Sequence, residues 1–432
     1  MSTPQRYLMP ASAMTAAAAM ILLTAAAATW SEQPTTRVGA VEVRVGIDDS
    51  DIRGSDHRAL QAAVDYAAKL GGGTVRIGPG QYQMRNALIL RDNVHVSGEP
   101  GKTILAACSA LKTPLAADGD CRERQITLQD PSGFQVGDGV AIYDDHYKSG
   151  FEVTTATLTA RVDERTFQIS APLYLDYLVS RKAVCCLAFP VVGGWNVKNA
   201  GVEGLTIDGN QAKAEYVDGC RAGGIYLFES DNISVRHCVV RNYKGDGISF
   251  QVSQHVTVED CLCENNTGLG LHPGSGSQHP VVRRNRSLNN GDDGLYVCWR
   301  VKYGRFEDNE IRGNHGVGVS IGHKDTDNLF RGNLISANAK AGVLFREESQ
   351  PMGAHRNVFE SNRILDNGAK EGNVSIVIRG HHDDLVFRKN TIGCSKTASP
   401  GVGIRCAKES NRFQADDNQF VNLQKPIERS ER

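Results

Sequence analysis

A short motif, glycine followed by Ile, Leu or Val, returns along the chain at Gly224, Gly247, Gly270, Gly294, Gly318 and Gly342, at spacings of 23, 23, 24, 24 and 24 residues. A period this short holds a few strands and tight turns but no globular domain, so each repeat must bury its apolar side chains against its neighbours. The chain therefore reads as a solenoid with one coil per repeat.

Two columns of turn residues accompany the glycines. Nine residues before them stand Cys238, Cys261, Asn285, Asn309 and Asn333, with Asn362, Asn390 and Asn418 continuing the column after longer insertions; four residues before them stand Asn266, Asn290, Asn314 and Asn338. Asn tolerates left-handed backbone and bonds neighbouring main chain, so such columns predict ladders of stacked turns rather than binding sites. Between the columns, Ile233-Ser234-Val235 and Val256-Thr257-Val258 alternate with a period of two, which predicts strands with one buried face. Each coil then holds two or three strands, paired in parallel with the next coil at about 4.8 Å.

A solenoid needs a cap over its open end. Residues 56–68 supply a helical pattern that opens on the N-cap candidate Asp56 and ends at Gly71-Gly72-Gly73, followed by an apolar strand and the turn Gly78-Pro79-Gly80. This succession resembles the opening of pectate-lyase-superfamily β-helices, and with the repeats the chain is similar over roughly residues 45–425 to right-handed parallel β-helices of the pectate lyase and polygalacturonase kind. The resemblance, not the period, implies the right hand. The expected architecture is all-β: a parallel β-helix over 191–425, an N-terminal cap and first coils over 40–105, and an interruption over 106–190 whose short apolar runs and Gly-Asp turns predict a small antiparallel β insertion.

Residues 1–30 differ in composition. Arg6 precedes an Ala-rich apolar stretch with small residues near Ala26 to Ala28, which reads as a secretory signal and predicts a secreted or periplasmic protein, with no membrane partner once the signal is removed. Of eleven cysteines, Cys238, Cys261, Cys263, Cys298 and Cys406 fall on the repeat lattice as small buried hydrophobes, whereas Cys108 and Cys121 flank the start of the insertion and are the expected disulfide. A net charge of −1 lacks the basic surface that a nucleic-acid partner requires.

The second residue after each lattice glycine is expected to face outward into solvent, giving the column Tyr226, Ser249, His272, Tyr296, Ser320, Leu344. The residue before each glycine gives Gly223, Asp246, Leu269, Asp293, Val317, Ala341. Paired carboxylates on one face suit glycoside hydrolysis, one protonated to assist the leaving oxygen and the other ionised to activate water. Asp246, Asp292 and Asp293 are the candidates, with Ser320, His323, Lys324 and Arg346 following as substrate-binding groups. The order resembles polygalacturonase-type glycosidases: Asp246 matches the first carboxylate, Asp292 and Asp293 the pair, and Arg346 the second basic residue. The match departs where an extra coil carrying His272 separates Asp246 from the pair, and where Val317 and Leu344 replace the expected His and basic residue.

His272 and Tyr296, stacked in the outward column, suit a different reaction: β-elimination or C5 epimerisation of a uronan, with cations neutralising the uronate. On that reading acidic residues, including the run Asp325-Thr326-Asp327-Asn328, offer oxygens to a Ca²⁺, although no metal is assigned and hydrolysis needs no cofactor. The expected function is cleavage of glycosidic bonds in a polysaccharide by carboxylate-driven hydrolysis; the alternatives are a uronan lyase or C5-epimerase and a non-catalytic carbohydrate-binding β-helix.

Overall fold

The computed structural model describes residues 41–395, 401–407 and 412–430, so the expected signal over 1–30 lies outside the described residues. The described chain climbs as a solenoid whose successive coils cross three long parallel sheets of 13, 11 and 11 strands. Adjacent coils are in register one repeat apart, as in Ile225 with Ile248, Ile248 with Leu271, Leu271 with Leu295 and Leu295 with Val319.

The asparagine columns form the expected ladders. In the first, the Asn285 backbone N–H donates to Asn309 Oδ1 at 3.0 Å and the Asn285 side-chain amide donates to the Val258 carbonyl at 2.9 Å, a pattern repeated by Asn309, Asn333, Asn362 and Asn390. The second runs from Asn266 through Asn290, Asn314 and Asn338 to Asn367. Each Asn satisfies buried main-chain groups that the turn would otherwise orphan. The lattice glycines are required by close approach: a Cβ at Gly247 would stand 2.6 Å from the Gly270 carbonyl, and one at Gly270 would stand 2.8 Å from that of Gly294. Inside, Phe306, Phe330, Phe359 and Phe387 stack rung upon rung at 4.7, 4.4 and 5.4 Å.

The capping helix spans His57–Lys69, with Asp56 accepting from the backbone N–H of Arg58 and Ala59, and it buries Leu60, Ala63, Val64 and Ala67. The insertion is a six-stranded antiparallel sheet between Lys112 and Leu187. The expected disulfide is absent: Cys108 is buried in the core, while the exposed Cys121 donates to the Tyr174 carbonyl. The lattice cysteines are buried as expected. Among the described residues no helix is long and apolar enough to cross a membrane.

Candidate active site on the third sheet

The sheet that contains Ile248–Gln251, Leu271–Gly274, Leu295–Tyr296, Val319–Ile321 and Val343–Phe345 carries the outward column in the predicted register, Tyr226 beside Ser249, Ser249 beside His272 and Tyr296 beside Ser320. The column is not open to solvent as expected. Tyr226, Ser249 and His272 are buried because the segment 209–223 between two strands lies over them, and Ser320 is buried under the Arg346 side chain. Ser249 Oγ donates to the Gly219 carbonyl at 2.6 Å, and the Tyr226 hydroxyl donates to the Cys220 carbonyl at 2.6 Å. Gly219 is packed so closely that a Cβ there would collide with the Asp246 carboxylate.

Under this cover Asp246 Oδ2 meets His272 Nδ1 at 2.7 Å, and Asp246 Oδ1 accepts the Leu269 N–H at 2.9 Å. Burial alone would depress the imidazole, but the Asp246 carboxylate, with the Cys298 sulfur behind it, holds His272 well above its ordinary value, at about 10. His272 is thus a buried imidazolium paired to Asp246. Its ring stands edge-on to Tyr296, with centroids 5.4 Å apart.

Arg346 approaches Tyr296 from the other side, its guanidinium 4.4 Å from the ring centroid. It reaches that position because Gly322 leaves the space empty: a Cβ there would stand 2.8 Å from Arg346 Nε. Arg346 is then fixed by donating to Ser320 Oγ at 3.0 Å, the Val297 carbonyl at 2.9 Å and Asp325 Oδ2 at 3.2 Å. Its own carbonyl accepts from the buried ring of His382. Burial raises Tyr296 to about 12 against the pull of Arg346, so the phenol keeps its proton at neutral pH.

Asp293 repeats the turn role of Asp246 two coils away, accepting the Val317 N–H at 2.6 Å. Burial, with exposed Asp292 beside it adding repulsion, pushes Asp293 up to about 6. The two carboxylates are two rungs apart, about 9.6 Å along the axis at ~4.8 Å per rung. His323 stacks on half-exposed Trp299 at 4.7 Å and faces Glu348 at 3.4 Å, while the Lys324 ammonium has no ion pair among the described residues.

The oxygen-rich run 325–328 does not fit a Ca²⁺. Asp325 is buried and accepts from Val301, Gly322 and Arg346, Asp327 is clamped by Arg356 at 2.6 and 2.8 Å, and Asn328 belongs to a third ladder with Asn357. No group of three or more His, Cys, Asp or Glu side chains is disposed to hold a metal among the described residues.

Sequence reasoning missed Cys298, Trp299, Glu348, Asp325 as the partner of Arg346, and the covering segment 209–223. The signal available for Cys298 and Arg346 was a further outward column two residues along, Phe228, Gln251, Gly274, Cys298, Gly322, Arg346, in which two glycines leave room for long neighbours.

Residues 192–352 match the family described as "Right handed beta helix region". No curated protein matches the chain. Among solved structures, the A-module of the Azotobacter vinelandii mannuronan C-5 epimerase AlgE6 is similar at 17% identity, with 89% of this chain and 95% of that one covered and a TM-score of 0.58. The AlgE4 A-module of the same organism gives 18%, 89%, 99% and 0.57. The Dettilon tailspike protein gp208 gives 11%, 84%, 64% and 0.52. The parallel register and these matches together show the fold of the chain to be a right-handed parallel β-helix.

Proposed function

We propose that this protein is an exported enzyme acting on a polyuronate by removal of the proton at C5, ending in epimerisation or in β-elimination across the glycosidic bond. The observation that carries this reading is the position of Tyr296, whose ring lies between the imidazolium edge of His272 and the guanidinium of Arg346. A protonated phenol between two cations is an acid beside positive charge. That combination suits a substrate whose own carboxylate must be neutralised before C5 becomes acidic.

The roles follow from protonation state. Asp293, ionised above a pH of about 6, is the carboxylate able to accept the C5 proton, with Asp292 beside it. Tyr296 delivers a proton, either to the opposite face of C5 or to the departing oxygen. His272 and Arg346 supply the positive charge that the enolate-like intermediate needs, and Asp246 holds His272 charged. The Lys324 ammonium and the half-exposed Trp299 ring, backed by His323, are placed to contact neighbouring sugar units. The likeness in fold to two mannuronan C-5 epimerase modules agrees with this assignment.

The raised carboxyl of Asp293 beside exposed Asp292 also supports carboxylate-driven hydrolysis, the second reading. It is less favoured because Asp246 has both oxygens committed, one to His272 and one to the Leu269 amide. Incubation with neutral and uronic polysaccharides separates the two: new reducing ends without unsaturated uronate or C5 exchange favour hydrolysis.

A further inference from the structure

Where the strands of the third sheet end, beyond Tyr296, the turn residues align from coil to coil. Gly274 pairs with Cys298, the Gly276 N–H donates to the Trp299 carbonyl at 2.7 Å, and the Arg300 N–H donates to that of His323 at 2.8 Å. Ser275-Gly276, Trp299-Arg300 and His323-Lys324 are therefore three successive rungs of one column. Two of them carry an aromatic ring followed by a cation, and the first carries neither. The Trp299 and His323 rings stack at 4.7 Å, close to the ~4.8 Å rung, so their faces are turned along the solenoid axis. Glu348 holds His323 in place, accepting its backbone N–H at 3.1 Å and standing 3.4 Å from its Nδ1.

His323 covers one face of Trp299, yet 48% of the residue is exposed, so the opposite face is open to solvent. That face looks toward the coil of Ser275-Gly276, where Ser275 is short and buried and a Cβ on Gly276 would have no atom within 4 Å. The Arg300 guanidinium stands 5.9 Å from the centre of the Trp299 ring, is exposed, and has no ion pair among the described residues. The place where a third ring and a third charge would continue the column is thus open, beside an aromatic face held from behind and an unpaired cation. A flat ring edged with C–H groups and bearing a carboxylate is its complement.

We propose that this place is a subsite for one internal unit of the polysaccharide, its ring lying on the free face of Trp299 above Gly276 and its carboxylate paired with Arg300. Trp299 follows Tyr296 by three residues on the same coil, so a chain held here lies beside the strand that carries the candidate acid. Lying flat on Trp299 also selects the linkage. In a pyranose chair, equatorial bonds leave close to the ring plane and axial bonds leave along its normal. An internal unit of a diaxially linked chain therefore carries a neighbouring sugar over each face and cannot lie on Trp299, whereas a unit with both linkages equatorial has both faces free. The substrate class is thus a diequatorially linked polyuronate. Its charge rests on the polyuronate reading; the preference for equatorial linkage rests on the open face of Trp299 alone.

Calorimetric titration of the wild type, Trp299→Ala, Gly276→Asn and Arg300→Gln tests this, with Tm measured to establish that each protein is folded. The ligands are hexamers of β-1,4-linked glucuronate and β-1,4-linked glucose, both diequatorial, and of α-1,4-linked galacturonate, which is diaxial. The wild type should bind the glucuronate hexamer about tenfold or more tighter than the galacturonate hexamer, and Trp299→Ala should lose about tenfold for glucuronate and with it the preference. Gly276→Asn keeps Trp299 but fills the space before it, with a residue that accepts left-handed backbone, and should lose the same preference. Arg300→Gln should weaken the glucuronate hexamer and leave the glucose hexamer unchanged. Equal wild-type affinity for the two uronate hexamers, or wild-type binding by folded Trp299→Ala or Gly276→Asn, overturns the subsite. Unchanged glucuronate binding by Arg300→Gln overturns the pairing of the carboxylate with Arg300. Titration is blind to turnover, so failure of the C5 reaction leaves this result standing and the reverse holds as well.

Discussion

The guanidinium of Arg346 lies across Gly322 and comes to rest 4.4 Å from the ring of Tyr296, two coils away along the solenoid. A missing side chain thus sets the electrostatics of the candidate acid. Gly274 plays a like part next to His272, where a Cβ would collide with the Gln251 amide.

Gly322→Ala tests this arrangement. The new methyl would meet Arg346 Nε at 2.8 Å and Cζ at 3.0 Å, the far end of a flexible side chain, so the fold should survive but at a lower Tm, because displacing Arg346 leaves buried Asp325 without its counter-charge. Turnover should fall by roughly 10- to 100-fold, a loss of about 1.4–2.7 kcal/mol in the transition state. Steady-state kinetics beside a thermal melt check both halves.

The Asp246 and His272 pair predicts a stability that depends on pH. The folded protein holds the His272 proton to about 10 while the unfolded chain releases it near 6.5, so between these values the folded state binds more protons. The contribution is fully present below pH 6.5 and is lost as pH rises through about 10. Denaturant unfolding of wild type and His272→Gln from pH 6 to 10 should show the wild-type advantage shrinking with rising pH.

The pH profile of activity has its acid limb at Asp293. Burial places that carboxyl at about 6, so turnover should rise as pH passes through 6 rather than near the ordinary value of 3.8. A rate profile measured from pH 4 to 8 at saturating polyuronate checks it.

Asn309→Ala should destabilise the protein by about 2–4 kcal/mol, since it leaves the Asn285 N–H and the Val282 carbonyl buried without partners. Equilibrium unfolding in urea measures it, and turnover per folded molecule should be unchanged because the ladder lies away from Tyr296.

The solenoid was legible because one physical requirement repeats in every coil: Gly224 through Gly342 recur where the next coil's backbone approaches, and Asn285 through Asn418 recur where turn amides need partners. The outward register of Ser249, His272, Tyr296 and Ser320 followed from strand alternation alone. The burial of Ser249 and His272 did not, because their cover comes from 209–223, which carries no repeat signal and whose fold-back is decided by tertiary contacts at Gly219 and Cys220. Asp246 in the sequence looks like an ordinary Asp-Gly turn or a free carboxylate. Only the 2.7 Å contact with His272, 26 residues on, shows that it is paired. The Cys108 and Cys121 expectation failed because flanking positions in sequence carry no information on the separation of the two thiols in space.

The most direct test of the central claim is reaction of the wild type and Tyr296→Phe with polyuronates in D₂O, following deuterium at C5 by NMR together with the ultraviolet absorbance of unsaturated uronate and the release of reducing ends. The wild type should incorporate deuterium at C5 or generate the unsaturated uronate, and Tyr296→Phe, folded with a similar Tm, should lose at least about 100-fold of that activity. New reducing ends with neither C5 exchange nor unsaturation, undiminished in Tyr296→Phe, would contradict the account and move the chemistry to Asp292 and Asp293.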